Sequence, residues 1–275
     1  MSRIRKHIVC AVSGGRSSAV AAILVNKFRK KYKYRSRHFV FANTGMEHPK
    51  TIEFLKHLEA YLDQKIIKLE FDFDDAGYKY NVIENWSDLS MNGTPFRRTI
   101  QFENRNLNRG LPHVAQPYCS SRMKKNIIRK WSKDTLKTVK YAQCIGYRKE
   151  DMPKRISLAE MNELGNAYIF PLLTHYKNPC GLKWLDAYWK KMPFKLEIPS
   201  FLGNCMLCWK KSDKNLVDVL KSNEANNFIS WWHDNELRYN SSSFRGIRSV
   251  NDMVALSISS SVADASNGDS CTCSF

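Results

Sequence analysis

Short apolar runs alternate with amphipathic stretches along the first two thirds of the chain. Residues 8–12 form an almost unbroken apolar run, and similar runs occur within 38–45 and 66–71. Between them, 19–25 and 49–62 carry helix-forming residues with apolar positions at helical spacing. Buried strands that alternate with helices are typical of a parallel sheet. We therefore predict an α/β fold with a doubly wound, mostly parallel sheet and helices on both faces.

The later sequence predicts two more strands, at 139–145 and 168–173. Residues 72–118 interrupt the alternation with acidic, glycine and aromatic residues of little periodicity, which indicates an insertion. Short amphipathic helices follow from about residue 178, and the end of the chain is rich in serine. The predicted parts are an α/β domain (1–177, with its insertion), a helical lobe containing cysteines (178–256) and a flexible tail containing cysteines (257–275).

A glycine turn with several hydroxyl groups follows the first predicted strand. Its residues are Ser13, Gly14, Gly15, Arg16, Ser17 and Ser18. A strand, a turn and a helix in this order direct backbone N–H groups and the positive end of the helix dipole at one point. An ordinary turn with a serine cap is the alternative. The position at the first crossover and the doubled hydroxyls favour an anion site.

Two other strand ends carry polar residues suited to the same ligand. The tripeptide Asn43-Thr44-Gly45 ends the second predicted strand, and Gly146 follows a later one. Arg148 and Arg155 come shortly after Gly146, and guanidinium groups bind phosphate or sulfate with two parallel hydrogen bonds. Ligands of parallel sheets bind beyond the carboxyl ends of the strands. We therefore expect these residues near the glycine turn.

The net charge of +18 implies polyanionic partners. Basic residues cluster at 29–37, 122–130 and 148–155, and we interpret the first cluster as a solvated surface. A nucleotide fits this charge, and a nucleic acid partner stays open. The chain has no run of 18 apolar residues and no signal-peptide cleavage pattern, so we expect a cytoplasmic protein without a membrane span.

Eight cysteines in a protein expected to be cytoplasmic favour metal or redox chemistry over disulfides. Cys10 and Cys144 lie in apolar strand-like runs and are expected to be core residues. The candidate metal ligands are Cys119, Cys205 and Cys208, with Cys271 or Cys273 as a fourth. Such thiolates suit a [4Fe–4S] cluster or zinc. The alternative is a set of buried thiols without metal.

Several of these motifs resemble one known family. The segment 13–18 resembles the PP-motif of the adenine-nucleotide α-hydrolase-like superfamily, and 43–51 resembles the segment after the second strand of the phosphoadenosine phosphosulfate (PAPS) reductase family. Pro117-x-Cys119, Ile145-Gly146-Tyr147-Arg148 and Gly203-Asn204-Cys205-x-x-Cys208 are similar to small family members often found in phages. The resemblance covers most of residues 7–250.

The resemblance implies an adenine nucleotide (PAPS, adenylyl sulfate or ATP) with its phosphates or sulfate at 13–18. It also implies that residues 43–45 line the pocket and that Arg148 contacts the anionic end. In sulfonucleotide reductases, a cysteine near a mobile C-terminus attacks the sulfate sulfur, and thioredoxin then releases sulfite. Cys271 and Cys273 are the cysteines in a comparable place. Cys119, Cys205 and Cys208 are similar to the cluster ligands of reductases that use adenylyl sulfate.

Two departures from the family pattern leave three functions open. The usual Glu-Cys-Gly-His-like tail is absent, and Ser17 stands where ATP pyrophosphatases with a two-glycine loop have aspartate. The first hypothesis is a sulfonucleotide reductase. The second is a PP-loop ATP pyrophosphatase that activates or thiolates a nucleic acid, with an iron–sulfur cluster holding sulfur. The third is a nucleotide-binding or nucleic-acid-binding module without catalysis.

Overall fold

The structure is a computed structural model that describes residues 6–106, 108–138, 140–158, 160–161, 167–240 and 243–259. Six strands of these residues form one sheet in the order β4-β3-β2-β1-β5-β6. The strands are β1 (His7–Ala11), β2 (Ser36–Asn43), β3 (Ile66–Asp74), β4 (Gly77–Ile83), β5 (Ala142–Cys144) and β6 (Tyr168–Ile169). The pairs β1–β2, β1–β5 and β5–β6 are parallel. The predicted α/β class with a mostly parallel sheet is therefore confirmed.

Helices follow most of the strands, as the pattern predicts. In the first part of the chain they are α1 (Arg16–Lys27), α2 (Pro49–Leu62), α3 (Thr94–Asn104), α4 (Tyr118–Ser120) and α5 (Ile127–Leu136), with a π-helical segment (Ser121–Asn126) before α5. The later helices are α6 (Pro171–Thr174), α7 (Leu182–Lys190), α8 (Asp213–Lys221), α9 (Asn226–Arg238) and α10 (Val250–Ser259). No helix of the described residues is long and apolar enough to cross a bilayer.

Two of the predicted strands are longer than the strands in the structure. The strand predicted at 168–173 ends at Ile169, because Pro171 has no N–H for the sheet and begins α6 instead. The strand predicted at 139–145 is limited to β5. The segment predicted as an insertion, 72–118, contains β4 and α3 as regular elements.

The centre of the sheet is made by β1 and its neighbours. Four of the five β1 residues are buried, and all apolar residues of α1 from Ala19 to Val25 are buried as well. Cys10 and Cys144 are register partners on β1 and β5, with relative exposures of 1% and 3%. Burial raises the pKa of the Cys144 thiol, and Cys10 raises it further. Both cysteines are core residues, as expected.

The described residues divide into two compact units. Those within Met1–Ala42, Lys50–Leu69 and Ile128–Glu197 form the first unit, and those within Asn43–Pro49, Glu70–Ile127 and Ile198–Phe275 form the second. The first unit contains the glycine turn and the arginines after β5. The second unit contains Cys119, Cys205 and Cys208.

Candidate functional site

The loop between β1 and α1 is organised by one serine hydroxyl. Ser18 Oγ donates to the Gly15 carbonyl at 3.0 Å and accepts from the Ser13 backbone N–H at 3.1 Å. Ser13 Oγ lies 3.1 Å from the same oxygen. Gly15 occupies the N-cap position of α1 without a side-chain cap bond. The structure therefore differs from the serine-cap alternative, because the N-cap residue is Gly15 and the Ser18 hydroxyl bonds to other residues of the loop.

Gly14 is required in this loop for two independent reasons. Its φ of +76° is in the left-handed region that favours glycine, and a Cβ there would lie 2.3 Å from Thr51 Cγ2. Thr51 is buried on α2. The loop is thus packed directly on α2, and any side chain at position 14 would separate the two.

Replacing Gly14 with alanine is expected to lower the free energy of unfolding by about 1–3 kcal/mol, through backbone strain and overpacking against Thr51. Gly15→Ala is the matched control, since the Gly15 φ of −91° is ordinary and a Cβ there would lie 3.5 Å from Ser13 Oγ. Urea unfolding of both variants measures the difference. Equal stability of the two variants would contradict this packing account.

Gly146 brings the end of β5 against the same loop. A Cβ on Gly146 would lie 2.8 Å from the carbonyl carbon and oxygen of Ser17 and 2.8 Å from the Ser18 nitrogen. Only a residue without a side chain permits this approach of two backbones. The structure therefore brings Gly146 to the Ser13–Ser18 loop, where the sequence predicted it.

The two arginines that follow Gly146 share one buried carboxylate. Arg148 Nε lies 3.4 Å from Asp151 Oδ2, and Arg155 Nε lies 3.3 Å from Asp151 Oδ1. The Arg148 backbone N–H also donates to Asp151 Oδ2 at 2.8 Å. Asp151 is 6% exposed. It was missed as a site residue, although its spacing of three and four from the arginines was available as a signal.

A cleft of about 800 Å³ opens beside the loop within the first unit. Its walls are basic and aromatic with a few acids, and they consist of Arg16, Lys50, Glu53, Phe54, His57, Asp186, Trp189, Lys190 and residues 192–197. Arg16 Nη1 donates to Asp186 Oδ1 at 2.7 Å, so the first residue of α1 is joined to α7 across the cleft wall. Small-molecule sites typically have volumes of about 300–1,000 Å³. The cleft is thus large enough for a nucleotide.

In the second unit, the tripeptide 43–45 takes part in a hydrogen-bond network with Glu70 and Ser90. Asn43 Nδ2 donates to Glu70 Oε1 at 2.6 Å and to the Ser90 carbonyl at 2.8 Å. Asn43 Oδ1 accepts from the Gly45 N–H at 3.1 Å. These bonds fix the turn after β2 and use every polar atom of the buried Asn43 side chain. A role of Asn43, Thr44 and Gly45 in ligand binding stays a prediction.

The three candidate metal ligands line one small cavity of the second unit. Its walls contain Thr44, Phe96, Cys119, Ser120, Met123, Lys124, Cys205, Cys208, Trp209 and Lys210. We call it the thiol cavity. All three cysteines are buried thiols without a disulfide. The grouping of Cys119 with the Cys205-x-x-Cys208 pair, which the sequence suggested, is therefore present.

A buried carboxylate is connected to the thiol cavity through a hydroxyl group. Thr44 Oγ1 donates to Glu47 Oε1 at 2.7 Å and lies 3.2 Å from Cys205 Sγ. Burial raises the pKa of Glu47, and the nearby Lys124 ammonium and the Thr44 hydrogen bond oppose this shift. The cavity wall thus combines soft sulfur atoms with a buried lysine, and the buried Glu47 carboxylate is hydrogen-bonded to the Thr44 hydroxyl of this wall.

The donor types of the thiol cavity suit a soft metal, but their arrangement does not. Among the described residues, no group of three or more His, Cys, Asp or Glu side chains is placed to hold a metal ion. The predicted ligand set of Cys119, Cys205 and Cys208 therefore does not form a metal site as placed. Cys271 and Cys273, the predicted nucleophiles and additional ligands, lie outside the described residues.

Comparison with known proteins agrees with this geometry. The family model described as the phosphoadenosine phosphosulfate reductase domain matches residues 7–175. The chain is also 30% identical over 219 residues to the "Uncharacterized nin region protein ORF290" of Escherichia phage lambda. The alignment covers 79% of this chain and 70% of that phage protein. No solved structure matches the chain.

The unit of β1, the loop at 13–18 and α1 lies on a mostly parallel sheet. This arrangement is that of a PP-loop nucleotide-binding fold. The chain belongs to the phosphoadenosine phosphosulfate reductase family. The phage relative agrees with the resemblance to phage members of this family. The match covers β1 to α6, which includes the loop, Gly146 and both arginines.

Proposed function

We propose that this protein is a sulfonucleotide reductase, which binds adenylyl sulfate or its 3′-phosphorylated form and reduces the sulfate by thiol chemistry. The observation that carries the proposal is the contact of Gly146 with the Ser17–Ser18 peptide. This contact joins a hydroxyl-rich loop at a helix N-terminus to the segment that contains Arg148 and Arg155. Both parts are suited to a doubly anionic ligand.

In the proposed complex, the loop N–H and hydroxyl groups bind the phosphate, and the arginines bind the anionic end of the nucleotide. Asp151 acts as a positioning residue, because it holds both guanidinium groups without contacting the ligand itself. The 800 Å³ cleft bordered by Arg16 accommodates the remainder of the nucleotide. A role of Asn43, Thr44 and Gly45 in nucleotide binding is proposed from the family resemblance alone.

The proposed reaction transfers the sulfo group (SO3) to a cysteine, Cys271 or Cys273. The thiolate forms a bond to the sulfate sulfur, the bond from this sulfur to the phosphate oxygen breaks, and the nucleoside phosphate leaves. A reduced dithiol of the thioredoxin class then attacks the enzyme sulfur. Sulfite leaves, the enzyme thiolate is restored through closure of the reductant's disulfide, and the reductant loses two electrons.

The test is sulfite release from adenylyl sulfate or PAPS in the presence of reduced thioredoxin. We expect turnover by the wild type and its loss in the Cys271→Ser/Cys273→Ser double variant. Cys180→Ser is the control, since Cys180 is buried and its pKa is raised to about 11, which keeps it a thiol at neutral pH. Sulfite release that persists in the double variant would contradict the proposed nucleophile.

A PP-loop ATP pyrophosphatase acting on a nucleic acid is the second candidate. The observation that favours it is the two-glycine loop, in which both Gly14 and Gly15 lie between β1 and α1. Release of pyrophosphate from ATP, stimulated by RNA or DNA, would support this reaction. Nucleotide binding without either turnover would indicate a module without catalysis.

The [4Fe–4S] cluster or zinc ion stays a prediction of the sequence. The side chains of the thiol cavity do not form a metal-holding group as placed, so no step of the proposed reaction is assigned to a metal. Anaerobic purification with metal analysis and an absorption spectrum tests it. Iron at about four atoms per chain would establish the cluster, whereas zinc at about one atom would indicate a structural site.

A further inference from the structure

A row of aromatic side chains extends along one side of the first unit. Its members are Phe28, His175, Tyr176, Trp184 and Tyr188, and successive ring centroids are 4.4, 4.6, 5.3 and 5.2 Å apart. Phe28 is 38% exposed and Tyr176 is 40% exposed, while the other three are half-buried. These rings come from the residue after α1, the segment after α6, and α7. They form a continuous surface that no single stretch of sequence predicts.

Basic residues border this row. The sequence from 27 to 37 contains seven basic residues and no acidic one, namely Lys27, Arg29, Lys30, Lys31, Lys33, Arg35 and Arg37. Lys31 Nζ donates to the Thr174 carbonyl at 3.3 Å and to the His175 carbonyl at 2.5 Å. The basic stretch is thereby attached to the aromatic row. We call the combined feature the aromatic–basic surface.

The electrostatic environment of this surface is positive. Burial lowers the pKa of His175, and the nearby Lys31 ammonium lowers it further. Burial and the nearby Arg29 guanidinium likewise lower the pKa of Arg37. Lys177 and Lys183, beside Tyr176 and Trp184 in the sequence, are exposed and add two more cations. From the sequence alone we interpreted residues 29–37 as a solvated face. The aromatic row beside them is the new observation.

We propose that the aromatic–basic surface binds a single-stranded nucleic acid. Bases stack on aromatic side chains, and cations along the groove contact the phosphates, which is the general mode of sequence-tolerant single-strand binding. A duplex would leave the rings unused, because its bases are already stacked. The proposal does not depend on which nucleotide reaction the loop supports.

The aromatic row ends next to the nucleotide cleft. The Tyr188 and Trp189 ring centroids are 5.8 Å apart, and Trp189 lines the 800 Å³ cleft that Arg16 borders. All of these residues belong to the first unit. A strand on the aromatic row would therefore run toward the cleft, and its terminal nucleotide would be close to the loop.

The test is fluorescence anisotropy of the full chain with a labelled thymidine oligonucleotide of about 20 nucleotides, a length that covers the site sizes of single-strand binders. We expect Trp184→Ala to weaken binding by about tenfold, since stacking contributes about 1–3 kcal/mol per base, and Trp184→Phe to retain most of the affinity. Thermal melting of both variants excludes a folding defect. An RNA oligonucleotide and a DNA duplex of the same length identify the form that is bound.

The ionic contribution is measured with Arg29→Ala/Lys30→Ala. Loss of two phosphate contacts is expected to reduce the slope of log Kd against log salt by about 1.4. The matched control is Lys56→Ala/Lys133→Ala, which removes the same charge at exposed positions outside the surface. The proposal would be overturned if both double variants lost the same affinity, or if the duplex bound more tightly than the single strand. Wild-type affinity of Trp184→Ala would overturn it as well. A negative sulfite assay would not affect it, because the binding is measured without nucleotide.

Discussion

Replacing Gly146 with alanine is expected to weaken nucleotide binding by at least about tenfold while the protein stays folded. The added Cβ would lie 2.8 Å from three backbone atoms of the Ser17–Ser18 peptide. Backbone at the start of α1 cannot rotate away as a side chain can, so the Ser13–Ser18 loop must shift as a unit. Overpacking of this kind costs about 1–3 kcal/mol, and a displaced loop no longer directs its N–H groups at the ligand.

Calorimetry with adenylyl sulfate and with AMP measures this loss. Gly181→Ala is the matched control, because a Cβ on Gly181 would lie 2.4 Å from Glu150 Oε1, the end of a side chain that can move at the cost of its hydrogen bond from the Leu182 N–H and without a shift of backbone. We expect the control to bind within about twofold of the wild type. Wild-type affinity in Gly146→Ala would show that the close approach of the two backbones is irrelevant to the ligand.

Replacing Asp151 with asparagine is expected to reduce affinity for the sulfated nucleotide by about tenfold or more, with a smaller effect on AMP. Asn retains the size of Asp151 but loses the charge that holds Arg148 and Arg155. Removing one partner of a buried ion pair costs about 3–5 kcal/mol. We expect a smaller loss of stability here, since the arginine side chains are 12% and 27% exposed.

The comparison of two ligands distinguishes a positioning role from a purely structural one. A general folding defect would weaken AMP and the sulfated nucleotide equally, whereas misplaced arginines affect the ligand with the additional anionic group. Asp134→Asn is the control, because Asp134 forms an exposed pair with Lys130 at 3.5 Å, and such pairs contribute about 0–1 kcal/mol. Equal losses for both ligands in Asp151→Asn would contradict the proposed role.

The α/β class and the position of the loop could be predicted from the sequence because both depend on local patterns. The apolar run of β1, the glycines and the apolar stripe of α1 are adjacent in the chain, and each indicates its own conformation. Gly146 was predictable for a topological reason, since parallel strands end at one edge of the sheet. Its contact with the Ser17–Ser18 peptide follows from that rule.

Other features depend on contacts that the pattern does not specify. The carboxylate of Asp151 was visible in the sequence, but its burial beneath Arg148 and Arg155 was not. Likewise, the cysteine spacing indicated a common location for Cys119, Cys205 and Cys208, and all three line the thiol cavity. Whether their sulfur atoms converge on one point depends on side-chain rotamers, which a spacing motif does not determine.

In the proposed complex, the ion pair between Arg16 and Asp186 affects how easily the nucleotide phosphate reaches the arginine. Both side chains are partly exposed, 37% and 52%, so the pair contributes only about 0–1 kcal/mol. An incoming phosphate can therefore displace the aspartate with little loss of free energy. While it persists, the pair limits the conformations that the guanidinium samples, so less conformational entropy is lost when the phosphate binds.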